Sequence, residues 1–227
     1  MTPPPQTRLT ANTPANTGPG SSATRAVMRG SLGFAVVSLA GFAVWACAGS
    51  WLYANVGEAG LYAASTVVFV GMSGLLLHPL VRGPGSLLRF YQAFVPAFIA
   101  YAVVWCVAWF ALRFGPGEWL GSFAGSVVFA VLIGRALGSF RSLITVCAVF
   151  FVTHSAGYFL GGAFYNWSKG PSAAELLNGF SQAQIAMLGR LGWGLLYGLG
   201  FGAGLGYACF TFQKPRADAA ALQNSRS

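Results

Sequence analysis

Charged side chains are scarce in this sequence. Only 7% of its 227 residues are Asp, Glu, Lys or Arg, whereas about a quarter of the residues in a soluble domain are charged. The hydrophobic fraction is 56% and the mean hydropathy is +0.63, which places the chain among membrane proteins. The net charge of +9 comes from basic residues scattered singly. Because they form no basic stripe and no known binding module, we do not expect nucleic acid as a partner.

Sequence motifs for catalysis, metal binding and cofactor binding are also missing. There is no HExxH, no GxSxG and no paired carboxylates. We therefore expect no catalytic residue, no metal and no cofactor, and we predict that the protein is not an enzyme. The cysteines form no CxxC pair, so we interpret all four as small buried hydrophobic residues. They are Cys47, Cys106, Cys147 and Cys209.

Long apolar runs make up most of the chain. Six of them approach the ~20 residues that a helix needs to cross the hydrocarbon core of a bilayer. They cover residues 31–53, 61–81, 94–112, 120–137, 143–163 and 191–212. Since unpaired backbone groups are costly in lipid and the runs do not alternate, the sequence predicts an all-α polytopic bundle of six transmembrane helices. We place this single domain at 29–213, between a disordered cytoplasmic tail at 1–28 and a short cytoplasmic tail at 214–227.

The first four runs contain an internal repeat. Residues 41–77 align without a gap on residues 101–137, and 12 of the 37 aligned positions are identical. Unrelated stretches of this composition should match at roughly one position in ten. The aligned positions include Gly57-Glu58 and Gly117-Glu118. We infer three helical hairpins, of which the third follows from the spacing of the runs and not from identity. They cover 31–81, 94–137 and 143–212.

Basic residues indicate the orientation of the bundle. With the N-terminus inside, ten of the thirteen Lys and Arg residues fall on the inner side, and Arg113, Lys169 and Arg190 fall outside. The positive-inside rule therefore predicts that both termini are cytoplasmic. The compact loops and the preference for Arg over Lys, eleven to two, favour a bacterial inner membrane.

The last run carries a row of glycines. Gly194, Gly198, Gly202 and Gly206 are four residues apart, so they share one helix face on which another backbone can approach closely. We interpret this face as a packing surface against a neighbouring helix of the same chain, of a second copy or of another membrane protein. A mobile or pore-lining helix is the alternative interpretation.

His154 is the only ionisable residue that we expect deep within a run, about 16 Å from the inner end of its helix. Tyr158 lies one turn further on the same face. One interpretation is a proton-accepting or ligand-binding group in a cavity. The other is a neutral histidine that is hydrogen-bonded to a hydroxyl of the next helix, since we expect no acid in any run. Ser155 follows directly but lies about 100° around the helix, so the two are not placed as a hydrolase dyad.

The acidic residues are the rarest charged group. Glu58, Glu118 and Glu175 are each expected in an outer loop, one for each hairpin. One interpretation is an acidic ring that attracts cations to a pore mouth. The interpretation that we favour is local. The two Gly-Glu pairs turn the chain and start the next helix, and Ser172 with Glu175 has the spacing of a capping box at the start of a short amphipathic helix.

Two functions are compatible with these features. The first is a small transporter or channel-like permease for a weakly polar solute or ion, because a polar residue near mid-membrane in a repeat-built bundle is typical of transporters. The scarcity of polar residues argues against a strongly charged solute. The second is a non-catalytic scaffold or accessory subunit that packs against other membrane proteins through its glycine-rich faces. The lipid bilayer is a partner in both cases.

Overall fold

The computed structural model describes residues 22–213, and within that range all regular secondary structure is helical. The elements are α1 (Ala23–Leu77), a 3-10 turn (His78–Leu80), α2 (Ser86–Leu112), α3 (Phe114–Ala136), α4 (Leu143–Trp167), α5 (Pro171–Leu176) and α6 (Gln182–Phe212). Five of these helices are long and apolar enough to cross a membrane, and α5, with six residues, is too short.

The chain becomes helical earlier than the sequence indicated. Because α1 begins at Ala23, the predicted boundary of the N-terminal tail at residue 28 is wrong. Ser22 starts the helix, since its side-chain oxygen accepts a hydrogen bond of 3.2 Å from the backbone N–H of Arg25. The rest of the two predicted tails, 1–21 and 214–227, lies outside the described residues.

Helix α1 is interrupted at Gly57, which has φ 71° and ψ −176°. This conformation is open almost only to glycine, because a Cβ atom would clash with the backbone. The parts on either side, 23–56 and 58–77, fold back on each other. Gly33 lies against the side chain of Leu77, and Gly41 lies against the ring of Phe69. In both pairs the two residues are the same number of sequence positions from residue 55, one before it and one after it. The two parts of α1 therefore run antiparallel.

Helices α2 and α3 form a second antiparallel pair. They meet at Arg113, which has φ 55° and ψ 157°. The expectation that Gly117 and Glu118 form this turn is wrong, since both lie within α3. Gly117 instead allows a close helix contact, because a Cβ atom there would lie 2.9 Å from the carbonyl oxygen of Ala108. The turn therefore comes about one helical turn before the position that the repeat indicates.

Helix α6 packs between α1 and α4 through two rows of glycines. The first row faces α1, where Gly194 meets Phe42 and Gly202 meets the carbonyl of Gly30. The second row, Gly200 with Gly204, faces α4. Since both contacts are antiparallel, α1 and α4 run in the same direction. We call the end of the bundle that holds Gly57, Arg113 and α5 the Gly57 end, and the opposite end, near Ala23 and Phe212, the terminal end.

Aromatic side chains fill the centre of this bundle. Phe34 stacks on Phe201 with 4.5 Å between ring centroids, and Phe129 stacks on Phe150 at 4.6 Å. All four rings have no exposed surface. Each ring comes from a different helix, so the stacks tie α1, α3, α4 and α6 to one core.

The connection between α4 and α6 differs from its predicted form. The capping box is built by Ser181 and Gln184 at the start of α6, and not by Ser172. Ser172 lies inside α5, whose N-cap is Gly170. The reason is Pro171, because proline is favoured at the first helical position and this places the cap at Gly170, two residues before Ser172.

The cysteines are also less uniform than the sequence indicated. Cys209 is buried and Cys147 is half-buried, but Cys47 and Cys106 are exposed. The interpretation of all four as buried is wrong for the exposed pair, because an apolar helix can direct its apolar side chains outward to lipid as well as inward.

Candidate functional site

A row of polar side chains lies on one face of α3. Glu118, Ser122 and Ser126 are four residues apart, so they line up along the helix. Glu118 is half-buried, whereas Ser122 and Ser126 have no exposed surface. Serine is common where membrane helices pack closely, and here two buried hydroxyls lie one helical turn apart on the same face.

Helix α4 supplies the other side of this row. Tyr158 donates a hydrogen bond of 3.1 Å to Glu118 Oε1 near the Gly57 end. Closer to the terminal end, the ring of Phe150 stacks on the ring of Phe129. The antiparallel register between these two contacts places Ser122 at the level of His154 and Ser155. We define the polar seam as six residues of these two helices. They are Glu118, Ser122, Ser126, His154, Ser155 and Tyr158.

His154 is the most enclosed member of the polar seam. Its imidazole has no exposed surface, and its Nε2 atom lies 2.5 Å from the hydroxyl oxygen of Tyr101 on α2. Its Nδ1 atom is buried without a partner among the described residues. Whichever ring nitrogen carries the proton, one donor or one acceptor of the ring is therefore left unpaired. The ring also contacts Tyr197 of α6 edge-on, at 5.6 Å between centroids.

Two glycines of α3 allow side chains of α2 to reach the polar seam. A Cβ atom on Gly125 would lie 2.8 Å from the ring of Tyr101, and one on Gly121 would lie 3.0 Å from the ring of Trp105. Because these glycines have no side chain, Tyr101 reaches His154 and Trp105 packs against Tyr158 at 5.5 Å. Gly121 and Gly125 thus contribute to the site through the space that they leave.

The three glutamates have different surroundings. Glu58 follows the break at Gly57 and is exposed, and Glu175 lies exposed in α5. Glu118 was expected in a loop, but it lies inside α3 and turns toward α4, so that expectation is wrong. The expectation that no membrane-spanning run holds an acid is wrong as well, although the hydrogen bond of Glu118 goes to Tyr158 and not to His154. The ring of Tyr158, which binds Glu118, lies 6.3 Å from the imidazole.

Several polar atoms around the polar seam have no hydrogen-bond partner among residues 22–213. They are the hydroxyls of Ser122, Ser126 and Ser155, Nδ1 of His154 and the indole N–H of Trp105. A buried polar group without a partner costs roughly 1–3 kcal/mol, so a cluster of them is unlike an ordinary core. Because each of these atoms is fully buried, a small polar guest or water could hydrogen-bond them only after the helices move apart.

Sequence reasoning identified part of this arrangement. His154 and Tyr158 come together as expected, since they are one turn apart on α4. The serines of α3 were missed, although the spacing Glu118-x3-Ser122-x3-Ser126 in an otherwise apolar run was a usable signal. Tyr101 had no such signal, because a lone tyrosine in an apolar run does not reveal which helix it will face.

Other kinds of site are less well supported. Among the described residues, no three His, Cys, Asp or Glu side chains come together in a way that could hold a metal ion. The glycines Gly194, Gly198, Gly202 and Gly206 contact α1 of the same chain.

Comparison with models of protein families, with curated proteins and with solved structures gives no significant match for this chain.

Proposed function

We propose that this integral membrane protein is a small transporter or channel-like permease for a weakly polar solute or ion, and that the polar seam is its binding site. The observation that carries the proposal is the set of unpaired polar atoms on Ser122, Ser126, Ser155 and His154. A guest or water that supplies the missing hydrogen bonds of these atoms lowers the free energy of the complex. Intramembrane polar residues at the interface of packed helices are typical of substrate pathways.

Six membrane crossings are part of this proposal. The two parts of α1 run antiparallel around residue 55, which supports two crossings where a single continuous helix would make one. The pairing of Gly41 with Phe69 in the first hairpin corresponds, sixty residues on, to the contact of Tyr101 with Phe129 in the second. This supports the repeat. We place the bundle with both termini in the cytoplasm of a bacterium, so that the Gly57 end faces outward.

We propose that a solute enters the polar seam from the Gly57 end and that the seam is closed toward the terminal end. At the Gly57 end, the half-buried carboxylate of Glu118 lies first along the row, where it would attract a cation or accept a hydrogen bond from a solute. His154 lies near the middle of α4, between its ends at Leu143 and Trp167. Toward the terminal end, the stacked rings of Phe129 and Phe150 close the path. We propose that this stack separates to release the solute inward, as alternating access requires.

Two other functions have less support. A scaffold that packs through the face of Gly194, Gly198, Gly202 and Gly206 would need that face to be free, and α1 covers it. A hydrolase would need Ser155 to be activated by His154, but the Ser155 hydroxyl has no hydrogen-bond partner among the described residues. We therefore propose that the protein is not an enzyme.

A flux assay tests the proposal. Purified protein in liposomes is challenged with protons, metal cations and small neutral solutes, together with His154→Ala and Ser122→Val variants. The control is His78→Ala, because the His78 side chain bonds Ser86 at the terminal end, outside the polar seam. We expect one solute to cross with the parent and the control, and its rate to fall at least about tenfold in both variants of the polar seam.

The result that would overturn the proposal is an absence of flux for every solute with properly folded parent protein. An equal flux in parent and both seam variants would overturn the assignment of the site. In the first case the scaffold hypothesis gains support, and the proteins that co-purify in mild detergent become the next measurement.

A further inference from the structure

A second polar group lies partly buried at the Gly57 end, away from the polar seam. Arg190 of α6 is half-buried, with its guanidinium carbon 4.8 Å from the ring centroid of Trp45. Its Nη1 donates a hydrogen bond of 3.4 Å to the carbonyl of Trp45, and its Nε is buried without a partner. Within residues 22–213 it makes no ion pair. An arginine keeps its positive charge in almost any surroundings, so this charge is uncompensated by the chain described.

The Arg190 side chain borders an open cavity of about 360 Å³ at the surface of the bundle. This is the volume of about a dozen water molecules in the liquid. The cavity lies between α6 and the two parts of α1. Its lining consists of Trp45, Gly49, Ser50, Tyr53, Leu61 and Arg190. None of these residues is acidic, whereas two aromatic rings and Leu61 give the cavity apolar walls beside the cation.

A second cation reinforces the positive charge near this cavity. Lys169 Nζ lies 3.8 Å from the ring centroid of Tyr165, and that ring lies 5.6 Å from the ring of Trp45. The aromatic pair is thus flanked by Lys169 on one side and Arg190 on the other. Cation–π contacts of this kind lessen the cost of burying a charge and do not use its N–H donors, so the Nη2 end of the guanidinium can still donate to an anion.

We propose that the Arg190 cavity binds the anionic head of an amphiphile, a phosphate or carboxylate group carried on an apolar body. The guanidinium fork would pair with the oxygens of the head, since this geometry suits both groups. Ser50 adds a hydroxyl, and Trp45 with Leu61 receives the first carbons of the body. Two sources share this chemistry, namely the headgroup of an anionic lipid in the outer leaflet and a free amphiphilic anion. This site does not depend on transport through the polar seam.

Binding to protein in a neutral detergent tests the proposal. The probes are octyl phosphate, inorganic phosphate, which lacks the apolar body, and the anionic lipid phosphatidylglycerol, with phosphatidylcholine as its neutral counterpart. The readout is the shift of the thermal unfolding midpoint with probe concentration. The variants are Arg190→Gln, which removes the charge, and Ser50→Phe, which fills the cavity from an exposed position. The matched control is Arg113→Gln, since Arg113 also stacks on Trp109 at the Gly57 end but is exposed.

We expect octyl phosphate to stabilise the parent and the Arg113→Gln control, with an affinity at least about tenfold weaker in Arg190→Gln and in Ser50→Phe. Inorganic phosphate should bind less tightly than octyl phosphate. If phosphatidylglycerol displaces octyl phosphate and phosphatidylcholine does not, the natural occupant is a lipid headgroup. If neither lipid displaces it, the occupant is a free amphiphilic anion. Equal binding by the parent and a folded Arg190→Gln variant would overturn the proposal, and so would binding that Ser50→Phe leaves unchanged.

Discussion

The hydrogen bond between Tyr101 and His154 connects α2 and α4 in the interior of the bundle. Both side chains are buried, so replacing Tyr101 by phenylalanine leaves Nε2 of His154 without its partner. We predict that Tyr101→Phe lowers the free energy of unfolding by about 1 kcal/mol. The measurement is reversible unfolding in mixed micelles. Tyr91→Phe is the control, because the Tyr91 hydroxyl donates to the Gly71 carbonyl at an exposed position and should contribute less. Equal losses in the two variants would contradict this account.

Single residues were partly predictable at this scale. His154 was found because an ionisable side chain in an apolar run is rare and costly. Glu118 was placed in a loop because the apolar run was taken to start at residue 120, whereas α3 already begins at Phe114. Tyr101 was not found at all. Its role depends on Gly125 leaving space across a helix pair, and the sequence alone does not state which helices pack together.

The contact between α1 and α6 depends on glycine at both helices. A Cβ atom on Gly202 would meet the carbonyl of Gly30 and lie 2.7 Å from Phe34 Cβ. We therefore predict that Gly202→Ala destabilises the bundle by about 1–3 kcal/mol, since the backbones must move apart. Gly71→Ala is the matched control, because nothing lies within 4 Å of its added methyl group. It should be neutral or stabilising by up to about 1 kcal/mol. Unfolding curves of the two variants that coincide would contradict the prediction.

The spacing of the glycines indicated a contact face, but not its partner. Glycines four apart fix the direction of the face on α6, and nothing in their spacing distinguishes α1 from a second copy of the chain. The positions of the helix ends were likewise only partly predictable from the sequence. The break at Gly57 was expected from a turn residue, while the turn at Arg113 was missed because a non-glycine residue with positive φ carries no clear sequence signal.

The number of times that the chain crosses the membrane, and the side on which each end of the bundle lies, are properties of the whole molecule. Single cysteines at positions 59, 84 and 169, in a chain without Cys47, Cys106, Cys147 and Cys209, would test both. The natural residues there are exposed. If both termini are cytoplasmic and α1 crosses twice, a membrane-impermeant maleimide should label positions 59 and 169 in intact cells, and position 84 only after permeabilisation. Labelling of positions 59 and 84 from the same side would show that α1 does not cross twice.

The adjacency of α1 and α6 has a consequence for biosynthesis. The ribosome delivers α1 to the membrane first and α6 last, yet the glycine face of α6 packs directly on α1 and its second row packs on α4. The faces of α1 and α4 that α6 covers therefore stay exposed in the bilayer until nearly the whole chain has been translated. Insertion of α6 completes the assembly. A chain that ends before residue 182 would lack α6, so its inserted helices could not complete their packing. We expect membrane quality-control proteases to degrade such chains.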